Sequence, residues 1–587
     1  MGNETVDGPN FTKAYQWIKN FDQSRPIHWE RAGIGDNTDI FCPMYMYPRD
    51  CKNYCESTRP QDQKPLIQCE YNHTMGNSSG GFAEYWQLIR KYPKYQGGFI
   101  WDFADQALHA NIDHKQKSLA ELERKAASLM PGTGNIEEYR YGGDYNNYDA
   151  SDNNFNCNGI LGPDRQFNPH AYEIAYQHQN IWAEAVDLSK GIISIHNEYF
   201  FRDLSNYKME WKVVDHNKTL KSGTIDNLNI APQQTQQFTL PITELEGKEL
   251  FLNIEFKLKK AEPLMEAGQV VAYRQLPIGE RMQACCSMQQ VKGKLKIVNK
   301  KNNPTLNIIA DGVELQFNRS TGLLTKYQVA GVNYIGEGGT LRPNFWRAVT
   351  DNDMGAHQQN ILGAWRNPEL KLVSLESTKN KDKSALVTAI YDIPATKARL
   401  TLKYNILADG TIRVTEDLTA GEVEKLKNML CFGMVLDMPY DMDKSQFYGR
   451  GPIENYSDRK ESQNVGIYKQ TADEQFFPYI RPQETGTKSD MRCWKQTNSE
   501  GKGIKVSALP ELFMASALHY NILDLDEGMN KKQRHPEQIK KSKFTELRID
   551  KAQAGLGGID SWGAWPLEQY RLKYENMVFN FTISPLK

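Results

Sequence analysis

About residue 180 the texture of this sequence changes, and the change bounds what it can fold into. Before it, short apolar runs alternate with helical patterns. Helical spacing at Ala14, Trp17, Ile18 and Phe21 leads to a run at Arg25–Trp29. Further runs follow at Asp39–Pro43 (continuing into Met44–Tyr45), Leu66–Cys69 and Gly97–Asp102, with helical spacing at Phe82, Tyr85, Trp86 and Ile89 between the last two. Strands alternating with helices predict a parallel sheet or barrel. After it, Gly191–Phe201, Met209–Val214 and Leu250–Phe256 are strands separated by turn residues, which predicts a β-sandwich of about 110 residues. Val291 to Pro304, rich in Lys and Asn, reads as a linker. A larger all-β region follows, with strands at Gly312–Phe317, Lys397–Tyr404 and Met577–Ile583. The domain reading is therefore 1–180, 181–292 and 305–587. Ser118 to Met130 carries a helical pattern where a loop is expected and reads as an insertion.

The 587 residues allow roughly three to five domains of ~100–200 residues. A net charge of −1 gives no signature for nucleic acid or an anionic membrane. No apolar run approaches the ~20 residues of a membrane-spanning helix. The N-terminus, MGNETVDGPN, has neither the basic segment nor the apolar core of a signal peptide, so the compartment, cytoplasmic or periplasmic, stays open. Nine cysteines in a chain this long make no disulfide framework. Cys51 and Cys55 have a metal-like spacing but no matching second pair, and read as two free thiols on a loop.

The chemistry is concentrated in KPLIQCEYNHTMGNS, residues 64–78. Glu70 is the first charged residue after a buried-looking strand, and the polar loop behind it runs into a helix. In a parallel α/β barrel, residues at strand C-terminal ends line the active site. A carboxylate there is more often structural than catalytic, so a partner matters. Asn3-Glu4, at another such strand end, supplies one. Two carboxylates flanking a glycosidic bond can act as nucleophile and acid/base, and retention requires them about 5–5.5 Å apart. Their surroundings must push their pKa values apart. Tyr45, Trp101 and Trp562 offer flat aromatic faces for sugar rings. Tyr45 and Trp101 are equally well read as ordinary core, whereas Trp562 stands in a Gly-rich loop, Gly557 to Trp562.

Cys69 to Ser78 resembles the nucleophile motif of the large bacterial β-galactosidases of glycoside hydrolase family 2. Similar in the same way are Cys42–Tyr45, Gly97–Gln106, Tyr141–Asp144, Asn344–Asp353, Gly449–Tyr456 and Tyr479–Glu484. The resemblance covers essentially the whole chain in order. It implies the C-terminal half of a (β/α)8 TIM barrel, an immunoglobulin-like β-sandwich and a large C-terminal β-sandwich. It implies Glu70 as nucleophile, Glu4 as acid/base and Tyr45 as the hydrogen-bond partner of the nucleophile. Asn3, His73, Trp101 and Trp562 would bind substrate. Glu4 would contact Mg2+, while Phe155, through its carbonyl, and Asn158 would hold Na+.

The family's chains carry a jelly roll, an immunoglobulin-like domain and the first barrel strands ahead of the Asn-Glu motif at which this sequence starts. The expectation is thus a retaining β-galactosidase acting on terminal β-galactosides, with its N-terminal half supplied elsewhere or with a homo-oligomeric partner. The alternative is a catalytically inactive fragment that binds carbohydrate or a partner through its sandwiches. In the half-barrel, the run near Ile27 would expose an unpaired edge and Glu4 would sit near a frayed end.

Overall fold

The computed structural model describes residues 2–110, 138–146, 148–242, 249–279, 293–300 and 302–586. The helix expected at Ser118 to Met130 lies outside the described residues.

The first segment is built on one parallel strand pair, β1 (Leu66–Tyr71) beside β2 (Tyr95–Ile100). Helix α1 (Pro9–Phe21) precedes them and α2 (Pro48–Glu56) leads to β1. Helix α3 (Phe82–Lys91) connects the two strands, and α4 (Pro169–Gln177) closes the segment. Leu66, Tyr71, Phe82, Tyr85 and Tyr95 form its buried centre. On the other side of β1, Phe41 and Met44 make single parallel bridges to Leu66 and Glu70. The Asp39–Pro43 run is therefore extended and bonded to β1 without becoming a continuous strand; Pro43 has no N–H to offer a ladder.

The Arg25–Trp29 run forms no strand. At its centre Ile27 bonds to Asp39, whose N–H donates to the Ile27 carbonyl at 2.7 Å and whose carboxylate accepts from the Ile27 N–H at 2.7 Å. A side chain has taken a place that a neighbouring strand would fill. The Cys51–Cys55 reading is also corrected. Both thiols are free, but they lie on α2 and not on a loop, because Pro48 at the first helical position starts a helix there.

Next comes a sandwich of two antiparallel sheets. Ile181–Asp187, Ile192–Asn197 and Thr235–Thr239 form one; Tyr207–Asp215, Lys218–Ile225, Leu250–Leu258 and Val270–Ile278 form the other. Strict alternation turns Tyr207, Met209, Trp211 and Val213 inward, where they meet Ile181, Ala183, Ile193 and Ile195. The large C-terminal region is a second sandwich, of ten- and nine-stranded sheets. Ala385–Ile393 buries every second residue into its core. The stretch read as a linker contributes to it: Lys296–Val298 is a short edge strand paired with Asn307, Ile308 and Ile309.

The loop after β1 joins these parts. Residues 72–83 are buried throughout, although most are polar or glycine. Several of their polar groups find partners in the C-terminal sandwich, as buried main chain requires, while Asn72 Oδ1 and Asn77 Oδ1 have no hydrogen-bond partner among the described residues. The Asn77 N–H donates to Gln483 Oε1 at 2.9 Å and Asn77 Nδ2 to the Glu484 carbonyl at 2.7 Å. Arg459 Nη1 donates to the Ser78 carbonyl at 2.6 Å, and the Gly80 N–H to the Gly557 carbonyl at 2.8 Å.

Candidate active site

Glu70 stands near the C-terminal end of β1, where the strand runs into the buried loop. Its neighbour Tyr45 is held in the left-handed region, at φ 48°, a conformation uncommon outside glycine. That conformation is fixed from both ends: the Tyr45 N–H donates to the Glu70 carbonyl at 2.9 Å, and its hydroxyl donates to Glu70 Oε2 at 2.7 Å. The Asn3 side chain also hydrogen-bonds the Glu70 carboxylate.

Burial raises the Glu70 pKa above the ordinary carboxylate value, and the charges of Glu4 and Glu30 push the same way. The bonds from Tyr45 and Asn3 oppose them. Burial and the Glu70 carboxylate push the Tyr45 phenol strongly upward, so it remains a donor. Glu4 is exposed and also left-handed, at φ 48°. Its N–H donates to Glu30 Oε2 at 3.2 Å. Glu30 was missed in the sequence reading. The signal was present, because it follows the Arg25–Trp29 run as Glu70 follows its own strand.

A second group lies beside this one. His73 is buried between residues of the 155–158 and 561–562 segments. Its Nδ1 meets Ser561 Oγ at 2.7 Å and its Nε2 meets Asn158 Nδ2 at 3.1 Å. Its ring lies 5.4 Å from Phe155 and 5.2 Å from Trp562. Burial lowers its pKa to about 4, so the ring is neutral at pH 7. Trp562 reaches in from the C-terminal sandwich and stands edge-on to Tyr45, at 4.7 Å and 89°. Its loop is held by Asp560 Oδ1, which accepts from the N–H groups of Trp562, Gly563 and Ala564 at 2.8–3.1 Å. Trp562 is 48% exposed and leaves a free face. Trp101 joins through its main chain, its carbonyl accepting from the Thr74 N–H at 2.9 Å, and the residue is 40% exposed. Ser561 and Asn352, which hold His73, were not singled out in the sequence reading. Both lie inside quoted motifs, but nothing in a motif says which loop meets which.

The arrangement offers a carboxylate with a phenol donor, a second acid nearby and aromatic faces around a neutral imidazole. Asn158 Nδ2 also donates to the Phe155 carbonyl at 2.8 Å, which leaves Asn158 Oδ1 buried without a hydrogen-bond partner. Among the described residues, no three His, Cys, Asp or Glu side chains converge as a metal site.

Three family descriptions divide the chain. Residues 1–183 match the TIM barrel domain of glycosyl hydrolases family 2, residues 193–279 match β-galactosidase domain 4, and residues 309–583 match the β-galactosidase small chain. The chain belongs to glycoside hydrolase family 2, on its β-galactosidase branch. It is 32% identical to a β-galactosidase of Priestia megaterium, over all of this chain and 54% of that protein. It is 30% identical to one of Halalkalibacterium halodurans, over 99% of this chain and 55% of that protein. One of Pseudoalteromonas haloplanktis matches at 28% over all of this chain and 56% of its own length. The chain thus spans about half the length of the curated relatives it matches.

Proposed function

We propose that this chain carries the nucleophile side of a retaining β-galactosidase site, cleaving terminal β-galactosides through a covalent galactosyl-enzyme on Glu70. The observation that carries the reading is the Glu70–Tyr45 pair near the strand end, with Tyr45 Oη 2.7 Å from Glu70 Oε2. Tyr45 supports the carboxylate as it attacks and stabilises it as it leaves. Glu4 acts as acid/base, donating a proton to the departing glycosidic oxygen and taking one from water in the second step. Asn3 steadies the sugar side of Glu70. His73, Trp101 and Trp562 shape the sugar site, with Trp562 as the platform for the leaving sugar. The three proposed parts are 1–180, 181–292 and a C-terminal sandwich read as 305–587 that also takes in the edge strand Lys296–Val298, and a homo-oligomer is the proposed partner.

The two metals fare differently. The Phe155 carbonyl and the orphaned Asn158 Oδ1 fit the oxygen ligands that Na+ takes. Bound there, Na+ would supply a fixed positive charge that orients a sugar hydroxyl. For Mg2+ only Glu4 is at hand among the residues assigned to it, which does not make a site, and no step depends on that ion.

The alternative is a carbohydrate- or partner-binding protein without catalysis. The test is hydrolysis of a chromogenic β-galactoside by the purified chain, with Mg2+ and Na+, against Glu70→Gln as blank. A 2-fluoro-galactosyl fluoride probe and peptide mass spectrometry would read the covalent step. A label on Glu70 supports the proposal. Binding of galactosides with neither label nor turnover supports the alternative.

A further inference from the structure

We infer that Ser561 and Asn352, both from the C-terminal sandwich, are positioning residues that fix which nitrogen of His73 carries its proton. The Asn158 amide, oriented independently by the Phe155 carbonyl, meets the other nitrogen of the same ring. The functional meaning rests on the reading of His73 as a sugar-site residue; the proton assignment does not.

The inference follows from two carbonyl oxygens, which can only accept. At one end, Asn352 Nδ2 donates to the Leu556 carbonyl at 3.3 Å and to Ser78 Oγ at 3.0 Å. Its Oδ1 therefore faces Ser561, whose hydroxyl lies 2.7 Å away. An amide oxygen has no proton to give, so Ser561 must donate its single one. That leaves a Ser561 lone pair toward His73 Nδ1 at 2.7 Å, so Nδ1 carries the proton. The Ser78 hydroxyl donates in turn to the His73 carbonyl at 2.9 Å and closes the ring of bonds.

At the other end, the Phe155 carbonyl accepts from Asn158 Nδ2 at 2.8 Å. The same Nδ2 faces His73 Nε2 at 3.1 Å, so Nε2 must be the unprotonated nitrogen. The two ends agree on one tautomer without reference to each other. All four side chains of the relay, His73, Ser78, Asn352 and Ser561, are buried, which shields it from exchange with solvent. One result is that Asn158 Oδ1 is left unpaired as the acceptor. A second is that the residue next to Trp562 is tied to the same ring.

The test reads the tautomer on the whole chain without substrate. Long-range 1H–15N spectra of 15N-histidine-labelled protein would be recorded, with His73→Asn identifying the signal. The wild type is expected to show the neutral Nδ1–H form. Ser561→Ala is expected to lose that signature toward Nε2–H or a mixture, and Ser561→Thr, which keeps the hydroxyl, to restore it. An Nε2–H wild type, or a His73 signal unmoved by Ser561→Ala in a folded chain, would overturn the inference. If near-UV dichroism shows Ser561→Ala unfolded, Ser561→Cys, a poor acceptor of similar size, reads the same signal. Failure of the galactoside label on Glu70 would count against the functional reading alone.

Discussion

Tyr45 grips Glu70 twice, through its hydroxyl to the carboxylate at 2.7 Å and through its N–H to the Glu70 carbonyl at 2.9 Å. Side chain and main chain are thus positioned together, and the left-handed Tyr45 backbone is held by the strand it serves. The hydroxyl lowers a pKa that burial raises. Tyr45→Phe is therefore expected to raise the Glu70 pKa and to move the acidic limb of kcat/KM upward. A charge-assisted bond is worth about 1.5–3 kcal/mol, which corresponds to roughly one to two pH units. The pH dependence of Glu70 labelling by the fluorosugar checks this, and an unmoved limb would remove Tyr45 from the mechanism.

The seam between β1 and the C-terminal sandwich is too tight for a side chain at Gly80. A Cβ there would lie 1.9 Å from Asp458 Oδ2 and 2.8 Å from the Gly557 N. Asp458 is not free to move, because its carboxylate accepts from the N–H groups of Leu556 and Gly557 at 3.1 and 2.9 Å. Gly80→Ala is expected to cost about 1–3 kcal/mol or more. Gly8→Ala, with open space around it, serves as the control in urea denaturation. Equal midpoints for the two variants would contradict the packing described.

Arg481 is buried between two carboxylates. Its Nη1 lies 2.5 Å from Asp351 Oδ1, and its Nη2 bonds Glu527. Burial alone would raise the Asp351 pKa, but Arg481 and Lys531 overcome it and hold the carboxyl low. Arg481→Met removes the buried partner of Glu527 and leaves Asp351 with Lys531, 3.6 Å away, and is expected to destabilise by roughly 3–5 kcal/mol. The loop after β1 should loosen with it, since Gln483 bonds both Asp351 and Asn77. Hydrogen exchange at residues 72–83 reads that coupling; protection equal to wild type would show the network to be local.

His170 is fully buried on α4, its Nε2 donating to the Gly159 carbonyl at 3.0 Å. Burial, aided by the Arg459 charge, lowers its pKa from 6.5 to about 3. The unfolded chain therefore binds this proton more readily than the folded one. The stabilisation is complete above pH 6.5 and is lost as pH falls from there toward 3. By pH 4.5 the loss from this group is roughly 2–3 kcal/mol. His170→Gln should weaken the chain at pH 7 but flatten its stability between pH 6.5 and 4.5. A variant with the wild-type slope would place the acid sensitivity elsewhere.

Much of the fold was legible because strand periodicity is a local property. Met209–Val214 and Leu250–Phe256 alternate over most of their length and form strands close to those limits. Arg25–Trp29 has a strand's composition but not its partner: pairing is decided by what lies alongside, and there Asp39 does. Lys296–Val298 shows the converse, a polar stretch made a strand by the edge it meets.

The sequence by itself determined where the chemistry could be. A carboxylate after a short apolar run, a tyrosine after another and a tryptophan in a Gly-rich loop each follow from local pattern. Only the tertiary structure decided that Trp562 meets Tyr45, that Ser561 meets His73, and that Glu30 lies close enough to act on Glu70. The physical reason is range. Periodicity and turn chemistry act over a few residues, whereas a hydrogen bond across 488 positions exists only once packing has brought two distant loops together.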